Sequence, residues 1–225
     1  MAKYLIFDSG GLINITQNGL IDVFKKLAEE FQGEFLITET VKYETIEHPL
    51  KIKRFEWGAL RIEKLLQDET IKMVEDEEIV DRQELEDKTG EVMNLVNSAF
   101  SSNGKPIHLI EKGEAESMAL SLILTEKNIE NMVVIDERTA RMICEDIENL
   151  KELMESKLET RIEVNKDKLR EFNDITVIRS TEIMYMANKN KLFDGDKKTM
   201  EAVLYALKYG GCSISEKEIE VMKKL

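Results

Sequence analysis

Five short apolar runs, each joined to the next by segments of helical periodicity, constrain the fold of this chain more than any other feature. The runs begin at Tyr4 (YLIF), Glu34 (EFLIT), Thr70 (TIKMVE), Asn131 (NMVVI) and Asp174 (DITVIRS). Short apolar runs of this kind are typical of buried strands. Strands that alternate with helices along a chain form a parallel sheet. We therefore expect an α/β fold, with helices on both faces of a parallel sheet of about five strands.

Two of the predicted strands end directly on an aspartate: residues 4–7 are followed by Asp8, and residues 132–135 by Asp136. Right-handed crossovers bring the carboxyl ends of parallel strands to one edge of the sheet, where ligands bind in open α/β folds. If the two strands are neighbours, their carboxylates repel each other unless a cation such as Mg²⁺ or Mn²⁺ neutralises them. The alternative is that each Asp begins a turn or caps the next helix.

Two further acids lie on predicted helices. Glu44 belongs to the segment ETVKYETI, which ends before Pro49, and Glu114 directly follows Gly113 at the start of a largely buried helix. Glu114 and Glu116 compete for one role, because residues two apart on a helix point in nearly opposite directions. Acids in the first turn of a helix are also favoured by the helix dipole alone. These residues by themselves leave the choice between Glu114 and Glu116 open.

Four segments, in the order FDSGGLINI, VKYE, GEAESMALSL and VVIDERTAR, resemble the acidic signatures of PIN domains. More narrowly, they resemble archaeal PIN-like proteins related to the VapC-type ribonuclease toxins. The segment ITVIRSTEIMYMANKNKL is similar to the last strand and helix of such domains. Within this resemblance, a Glu directly after Gly favours Glu114 over Glu116 as the third acid, and DERTAR provides Asp136 as the fourth. The resemblance covers most of the chain except its middle and the segment after Cys144.

The resemblance implies a PIN-like sheet in the order 3-2-1-4-5 and a nuclease that depends on Mg²⁺ or Mn²⁺, most often an endoribonuclease acting on single-stranded or structured RNA. It gives catalytic and metal-binding roles to the four acids, which are Asp8, Glu44, Glu114 and Asp136. Ions held by these acids would polarise a phosphodiester and lower the pKa of a bound water. Ser9 is a candidate for positioning water or phosphate, and Arg138 for contacting the substrate backbone.

Two other functions are compatible with the same residues. A PIN-like protein could be a non-catalytic scaffold, although a scaffold has no use for a cluster of unneutralised acids. A phosphohydrolase of the haloacid-dehalogenase type also begins with a strand and an Asp. That family requires a second Asp two residues later, where this chain has Gly10.

The net charge of −13 argues against a broad electrostatic grip on nucleic acid. Lys51, Lys53, Arg54 and Arg61 could form a local basic track, but a solvated helix face is the interpretation that we favour for them. The two cysteines are too few for a disulfide framework or a zinc cage. We also expect no signal peptide, no membrane span and a cytoplasmic location. The expected partners are RNA, a second copy of the chain, and an antitoxin or RNA-processing protein.

The length predicts one PIN-like domain over residues 1–225. We expect a charged helical insertion at about 146–173, standing outside the main core, and a C-terminal helical extension at about 196–225. The segment SSNGKP, residues 101–106, is predicted as a loop. Gly33 is expected near the C-cap of the helix that precedes it. The helix predicted over residues 55–66 is expected to offer five residues to the core, which are Trp57, Leu60, Ile62, Leu65 and Leu66.

Overall fold

A computed structural model of the protein describes residues 3–193 and 196–224. The strands are β1 (Tyr4–Phe7), β2 (Glu34–Ile37), β3 (Lys72–Met73), β4 (Phe100–Ser102), β5 (Lys105–Pro106), β6 (Asn131–Val134), β7 (Glu163–Val164) and β8 (Val177–Ile178). The α-helices are α1 (Ser9–Gln17), α2 (Ile21–Glu30), α3 (Glu39–Lys42), α4 (Glu56–Gln67), α5 (Arg82–Ala99), α6 (Lys112–Glu126), α7 (Arg138–Glu145), α8 (Ile147–Leu158), α9 (Ser180–Lys189), α10 (Lys197–Tyr209) and α11 (Glu216–Met222). A π-helical turn spans Tyr43–Glu47, and 3₁₀ segments span Pro49–Lys51, Val74–Glu77 and Lys166–Asp174.

The main sheet is parallel and has the strand order β3-β2-β1-β6-β8. When these five strands are numbered among themselves, the order is 3-2-1-4-5, as expected. The chain first builds outward from β1 through β2 to β3, and later returns to the other side of β1 with β6. The connections therefore reverse direction between β1 and β6. In open α/β sheets this switch point opens a crevice at the carboxyl ends of the two strands.

Helices cover both faces of the sheet, because side chains of each strand alternate between the faces. On β1, Tyr4 and Ile6 pack into one apolar cluster with residues of α5, α6, α7 and α8. Leu5 and Phe7 pack into the other cluster with residues of α1, α2, α4, α9, α10 and α11. The predicted α/β fold with helices on both faces is confirmed, and its PIN identity stays a prediction.

The segment 146–173 does not stand outside the core, contrary to expectation. It forms α8, β7 and most of a 3₁₀ segment, and its buried apolar residues belong to the same cluster as Tyr4 and Ile6. These residues are Leu150, Met154, Ile162, Leu169 and Phe172. The expectation was wrong because it rested on the high charge of this segment. A few apolar residues among many charged ones are enough to pack the segment against the core. The predicted C-terminal extension consists of α10 and α11, and its last residue, Leu225, lies outside the described residues.

The predicted loop at 101–106 is instead part of a hairpin. β4 pairs antiparallel with β5 and with β7 in a second, three-stranded sheet. Asn103 and Gly104 connect the strands, with φ of +51° and +73°. A two-residue Asn-Gly turn with both φ positive matches the twist of paired strands, so this dipeptide was the available signal for a hairpin.

Gly33 lies near the C-cap of α2, as expected, because the C-cap is Phe31. The chain of Lys3 passes so close to Gly33 that an added Cβ would lie 2.2 Å from the Lys3 carbonyl oxygen. The expectation for two residues of α4 is wrong. Trp57 and Leu60 are 71% and 43% exposed, because α4 packs through Ala59, Ile62 and Leu65 instead.

Within the described residues, no helix is both long and apolar enough to cross a membrane.

Candidate functional site

Asp8 lies at the switch point, between the end of β1 and the start of α1. It is 4% exposed and is the N-cap of α1, where its carboxylate accepts a hydrogen bond from the Gly10 N–H at 3.2 Å. The chain turns directly from strand into helix here, so the cap and the sheet edge coincide in one residue. Both interpretations of Asp8, as a cap and as an acid at the sheet edge, are therefore compatible.

Glu44 lies in the π-helical turn, and its carboxylate is hydrogen-bonded by Ser9, the residue after Asp8. The Ser9 hydroxyl donates a short hydrogen bond to Glu44 Oε2. On its other side the carboxylate lies against Gly113, where an added Cβ would be 2.8 Å from Oε2. Gly113 is the second residue of α6, so the carboxylate of Glu44 sits at a helix N-terminus that favours negative charge. Gly113 thereby brings Glu44 next to Glu114.

Glu114 and Glu116 take different sides of α6. Glu114 is half-buried, accepts a hydrogen bond from the Glu111 N–H at 2.9 Å, and lies close enough to Asp8 to raise the pKa of that acid. Glu116 is buried and accepts from the Thr40 N–H at 3.0 Å, at the start of α3. Glu114 is therefore the member of the pair that joins Asp8 and Glu44, and Glu116 connects α6 to α3. We call Asp8, Glu44 and Glu114 the acidic cluster.

Asp136 follows β6 at the same sheet edge, but its carboxylate is occupied by protein donors. Oδ1 accepts from the Ser180 N–H at 2.8 Å, and Oδ2 accepts from the Ser180 hydroxyl at 2.6 Å and from Asn14 Nδ2 at 2.8 Å. Asn14 also donates to the Leu207 carbonyl at 2.9 Å. Asp136 thus ties α1, α9 and α10 together beneath the sheet edge. Its role as a metal ligand stays a prediction.

The acidic cluster carries an electrostatic cost. Burial raises the pKa of Asp8 to about 7, and the negative charges of Glu114 and Glu44 add to the rise while the Gly10 and Ser9 amides oppose it. Burial also raises the pKa of Glu114, with smaller contributions from Glu137 and Glu44. Among the described residues, no Lys or Arg forms an ion pair with Asp8, Glu44 or Glu114. The acids therefore repel one another, and in the described part of the chain no ion pair offsets this repulsion.

The donors of the acidic cluster suit a hard divalent cation, which prefers carboxylate oxygens. Within the described part of the chain, no group of three or more His, Cys, Asp or Glu side chains stands close enough to hold a metal ion as it is. The cluster therefore has the ligand chemistry of a cation site but not its closed geometry. Glu44 and Glu114 are half-buried, so solvent reaches the cluster from their side.

No family model, no curated protein and no solved structure matches the chain. The resemblance to PIN domains accordingly stays a prediction.

Ser9 and Arg138 have different surroundings. Ser9 holds Glu44, as described above, while Arg138 is exposed at the start of α7. The sequence interpretation missed Glu137, which caps α7 through the Ala140 N–H at 2.8 Å and adds negative charge beside Glu114. It also missed Asn14 and Ser180. Their only sequence signal is that each is polar in a segment of apolar periodicity.

Proposed function

We propose that this protein is a nuclease that acts on RNA and uses Mg²⁺ or Mn²⁺ bound by the acidic cluster. One observation carries the proposal: three carboxylates lie near one another at the switch point of a parallel sheet, where burial and their mutual repulsion raise the pKa of Asp8 to about 7, and within the described residues no Lys or Arg forms an ion pair with them. Structural acids that are buried in proteins are normally paired. A cluster left unpaired at a ligand-binding edge is better explained by an exogenous cation.

Asp8, Glu44 and Glu114 would hold the ion, and Asp136 would fix the surrounding backbone or complete the ligand set. A bound divalent ion would polarise a phosphodiester and generate hydroxide from water near neutral pH. The Ser9 hydroxyl orients the Glu44 carboxylate, and Gly113 lets that carboxylate reach the start of α6. The half-buried position of Glu44 and Glu114 leaves one side of the cluster open to a substrate.

The test is cleavage of labelled single-stranded RNA and DNA with Mg²⁺ or Mn²⁺. Asp8→Asn keeps the N-cap of α1, because Asn caps helices as well as Asp does. It should nevertheless lower the cleavage rate at least about a hundredfold, since it removes a charge that stabilises the transition state through the metal. Glu126→Gln is the matched control, because Glu126 is an exposed acid at the far end of α6. It should leave the rate unchanged.

Metal binding has a readout that does not depend on activity. Mn²⁺ should raise the melting temperature of the wild type and of Glu126→Gln, but not that of Asp8→Asn. Equal cleavage by wild type and Asp8→Asn would refute the nuclease function. A metal-dependent rise in melting temperature without any cleavage would instead favour the non-catalytic scaffold.

A further inference from the structure

We infer that a surface of exposed aromatic and basic side chains beside the acidic cluster binds an unpaired polynucleotide strand by stacking its bases. We call it the basic aromatic surface, and it consists of Tyr43, Lys51, Arg54, Phe55 and Trp57. The inference rests on the proposed function, because it identifies the strand as the substrate that reaches the acidic cluster.

The first observation is a concentration of exposed apolar side chains. Eight large apolar residues are exposed in the described chain, and four of them lie between residues 43 and 60. They are Tyr43, Phe55, Trp57 and Leu60, of which Trp57 is the most exposed at 71%. Exposed apolar side chains concentrated in one segment mark an interaction site more often than scattered single residues do.

The second observation is the local charge. Residues 43–61 contain four cations, which are Lys51, Lys53, Arg54 and Arg61, against three acids, Glu44, Glu47 and Glu56, in a chain with a net charge of −13. Lys53 pairs with Glu56 at 2.9 Å, while Lys51 Nζ and the Arg54 guanidinium lie over aromatic rings. The distances to the ring centroids are 5.9 Å for Lys51 over Tyr43 and 5.3 Å for Arg54 over Phe55. Two of the four cations therefore lie over exposed aromatic rings of this segment.

The third observation is the position of this surface. α4 packs against the π-helical turn that carries Glu44 and against α1, which begins with Ser9. Tyr43 directly precedes Glu44 and also lines a cleft of about 370 Å³ with two lysines, Lys42 and Lys112, and two acids, Glu39 and Glu47. The ring of Tyr43 thus lies one residue away from the acidic cluster.

This combination selects an unpaired strand among possible occupants. Proteins bind single strands by stacking bases on exposed aromatic rings and by tracking phosphates with nearby cations. Bases within a duplex are already stacked and offer no free face to a ring. A few local cations in an acidic protein also give too little phosphate contact for a duplex, whose binding depends on many such contacts. A symmetric contact between this surface on two copies of the chain would bring like charges together.

The test measures binding in EDTA, so that cleavage plays no part. Trp57 is the single tryptophan of the chain, so its fluorescence reports stacking directly. We expect unlabelled 15-nucleotide RNA and DNA strands to quench this emission, and the corresponding duplexes to quench it much less. Labelled strands give the affinity of each variant by fluorescence anisotropy. Trp57→Ala should bind about tenfold more weakly, and Trp57→Phe should retain most of the affinity because it keeps a ring.

Lys51→Gln should lower the slope of log affinity against log salt by about 0.7, the contribution of one phosphate contact on a single strand. Two matched controls lie elsewhere: Leu158→Ala at the exposed end of α8, and Lys217→Gln on α11. Both should bind like the wild type. A comparison of RNA with DNA shows whether a 2′-hydroxyl is recognised.

The outcomes separate this inference from the proposed function. Binding that requires Trp57 without any cleavage would refute the nuclease and keep the basic aromatic surface. If Trp57→Ala binds strands as tightly as the wild type, the inference about the surface is wrong. If Trp57→Ala also cleaves RNA at the wild-type rate, the nuclease function stands without the surface. If Trp57→Ala converts a dimer to a monomer in light scattering and does not alter strand binding, the surface is a contact between copies and the inference is wrong.

Discussion

Asp8 and Asp136 occupy equivalent places and have opposite surroundings. Each follows one of two adjacent parallel strands, and they are 4% and 2% exposed. Asp136 receives three hydrogen bonds from Asn14 and Ser180. Asp8 accepts from the Gly10 amide and faces Glu114 and Glu44. The same residue type at the same sheet edge thus contributes stability on one side and repulsion on the other.

The difference shows that the carboxylate of Asp8 lowers the stability of the fold and that of Asp136 does not. A buried carboxylate is stable when charge-assisted hydrogen bonds replace its hydration, as at Asp136. Without them the pKa rises, as at Asp8, and the ionised form destabilises the fold. Buried acids with a raised pKa that destabilise the fold occur mainly at ligand-binding and catalytic sites. We therefore infer that Asp136 is the structural half of this edge and Asp8 the half available to a cation.

The largest expected effect tests the Asp136 half. Asp136→Ala leaves the Ser180 N–H, the Ser180 hydroxyl and Asn14 without their acceptor in a buried position, so it should lower the free energy of unfolding by about 3–5 kcal/mol. Urea denaturation at pH 8 in EDTA measures this. Asp146→Ala is the matched control, since Asp146 is an exposed Asp that caps α8 through the Asn149 N–H, and it should cost only about 1 kcal/mol. Equal losses would contradict the assignment.

The second prediction concerns the sign of the effect at Asp8. Its pKa is raised from 3.8 to about 7, so unfolding in EDTA releases a proton between these values, and stability falls as pH rises through this window. Asp8→Asn removes the titration. It should be more stable than the wild type by about 2–4 kcal/mol above pH 7, with the advantage vanishing near pH 4. Denaturation from pH 4 to pH 8 measures this. A destabilised Asp8→Asn at pH 8 would show that Asp8 is a structural acid like Asp136.

The sequence could predict the sheet edge because it depends on local patterns. Apolar runs locate β1 and β6, and the parallel arrangement brings Asp8 and Asp136 to the same edge. It could not predict their different surroundings. The Asn14 amide reaches across 122 positions to Asp136 and 193 positions to Leu207, and no local pattern encodes such contacts.

The same limit explains the exposed face of α4. Trp57 and Leu60 are three residues apart and form one apolar stripe, while Ile62 and Leu65 form another with the same spacing. Periodicity detects both stripes and cannot tell which one faces the core. Both stripes were assigned to the core, and this concealed the basic aromatic surface, since Trp57 was assigned to packing and the cations beside it to a solvated face.

The third prediction concerns a mutation that removes a hydrogen bond to Asp136 but keeps the Asp136 carboxylate. Asn14→Ala deletes one of the two donors to Asp136 Oδ2 and the donor to the Leu207 carbonyl. The Ser180 bonds remain, so the loss of unfolding free energy should be about 1–3 kcal/mol, less than for Asp136→Ala. A double-mutant cycle with Ser180→Ala in urea denaturation measures the coupling. Additive losses would mean that Asn14 and Ser180 do not act through a shared Asp136.

The smallest effect on stability is expected at Ser9, on the Asp8 half. The Ser9 hydroxyl donates to a half-buried Glu44, so Ser9→Ala should cost about 1 kcal/mol or less. The same change releases a carboxylate of the acidic cluster from its orienting bond, and loss of such a bond typically weakens metal binding about tenfold or more. Mn²⁺ titration by calorimetry, beside urea denaturation, separates the two effects. Ser98→Ala removes a hydroxyl that donates to the Asn94 carbonyl within α5 and accepts from Lys168 Nζ, and it should change neither Mn²⁺ affinity nor the strand affinity. A Ser9→Ala protein that loses stability but keeps its Mn²⁺ affinity would place Ser9 with Asp136 among the structural residues of this edge.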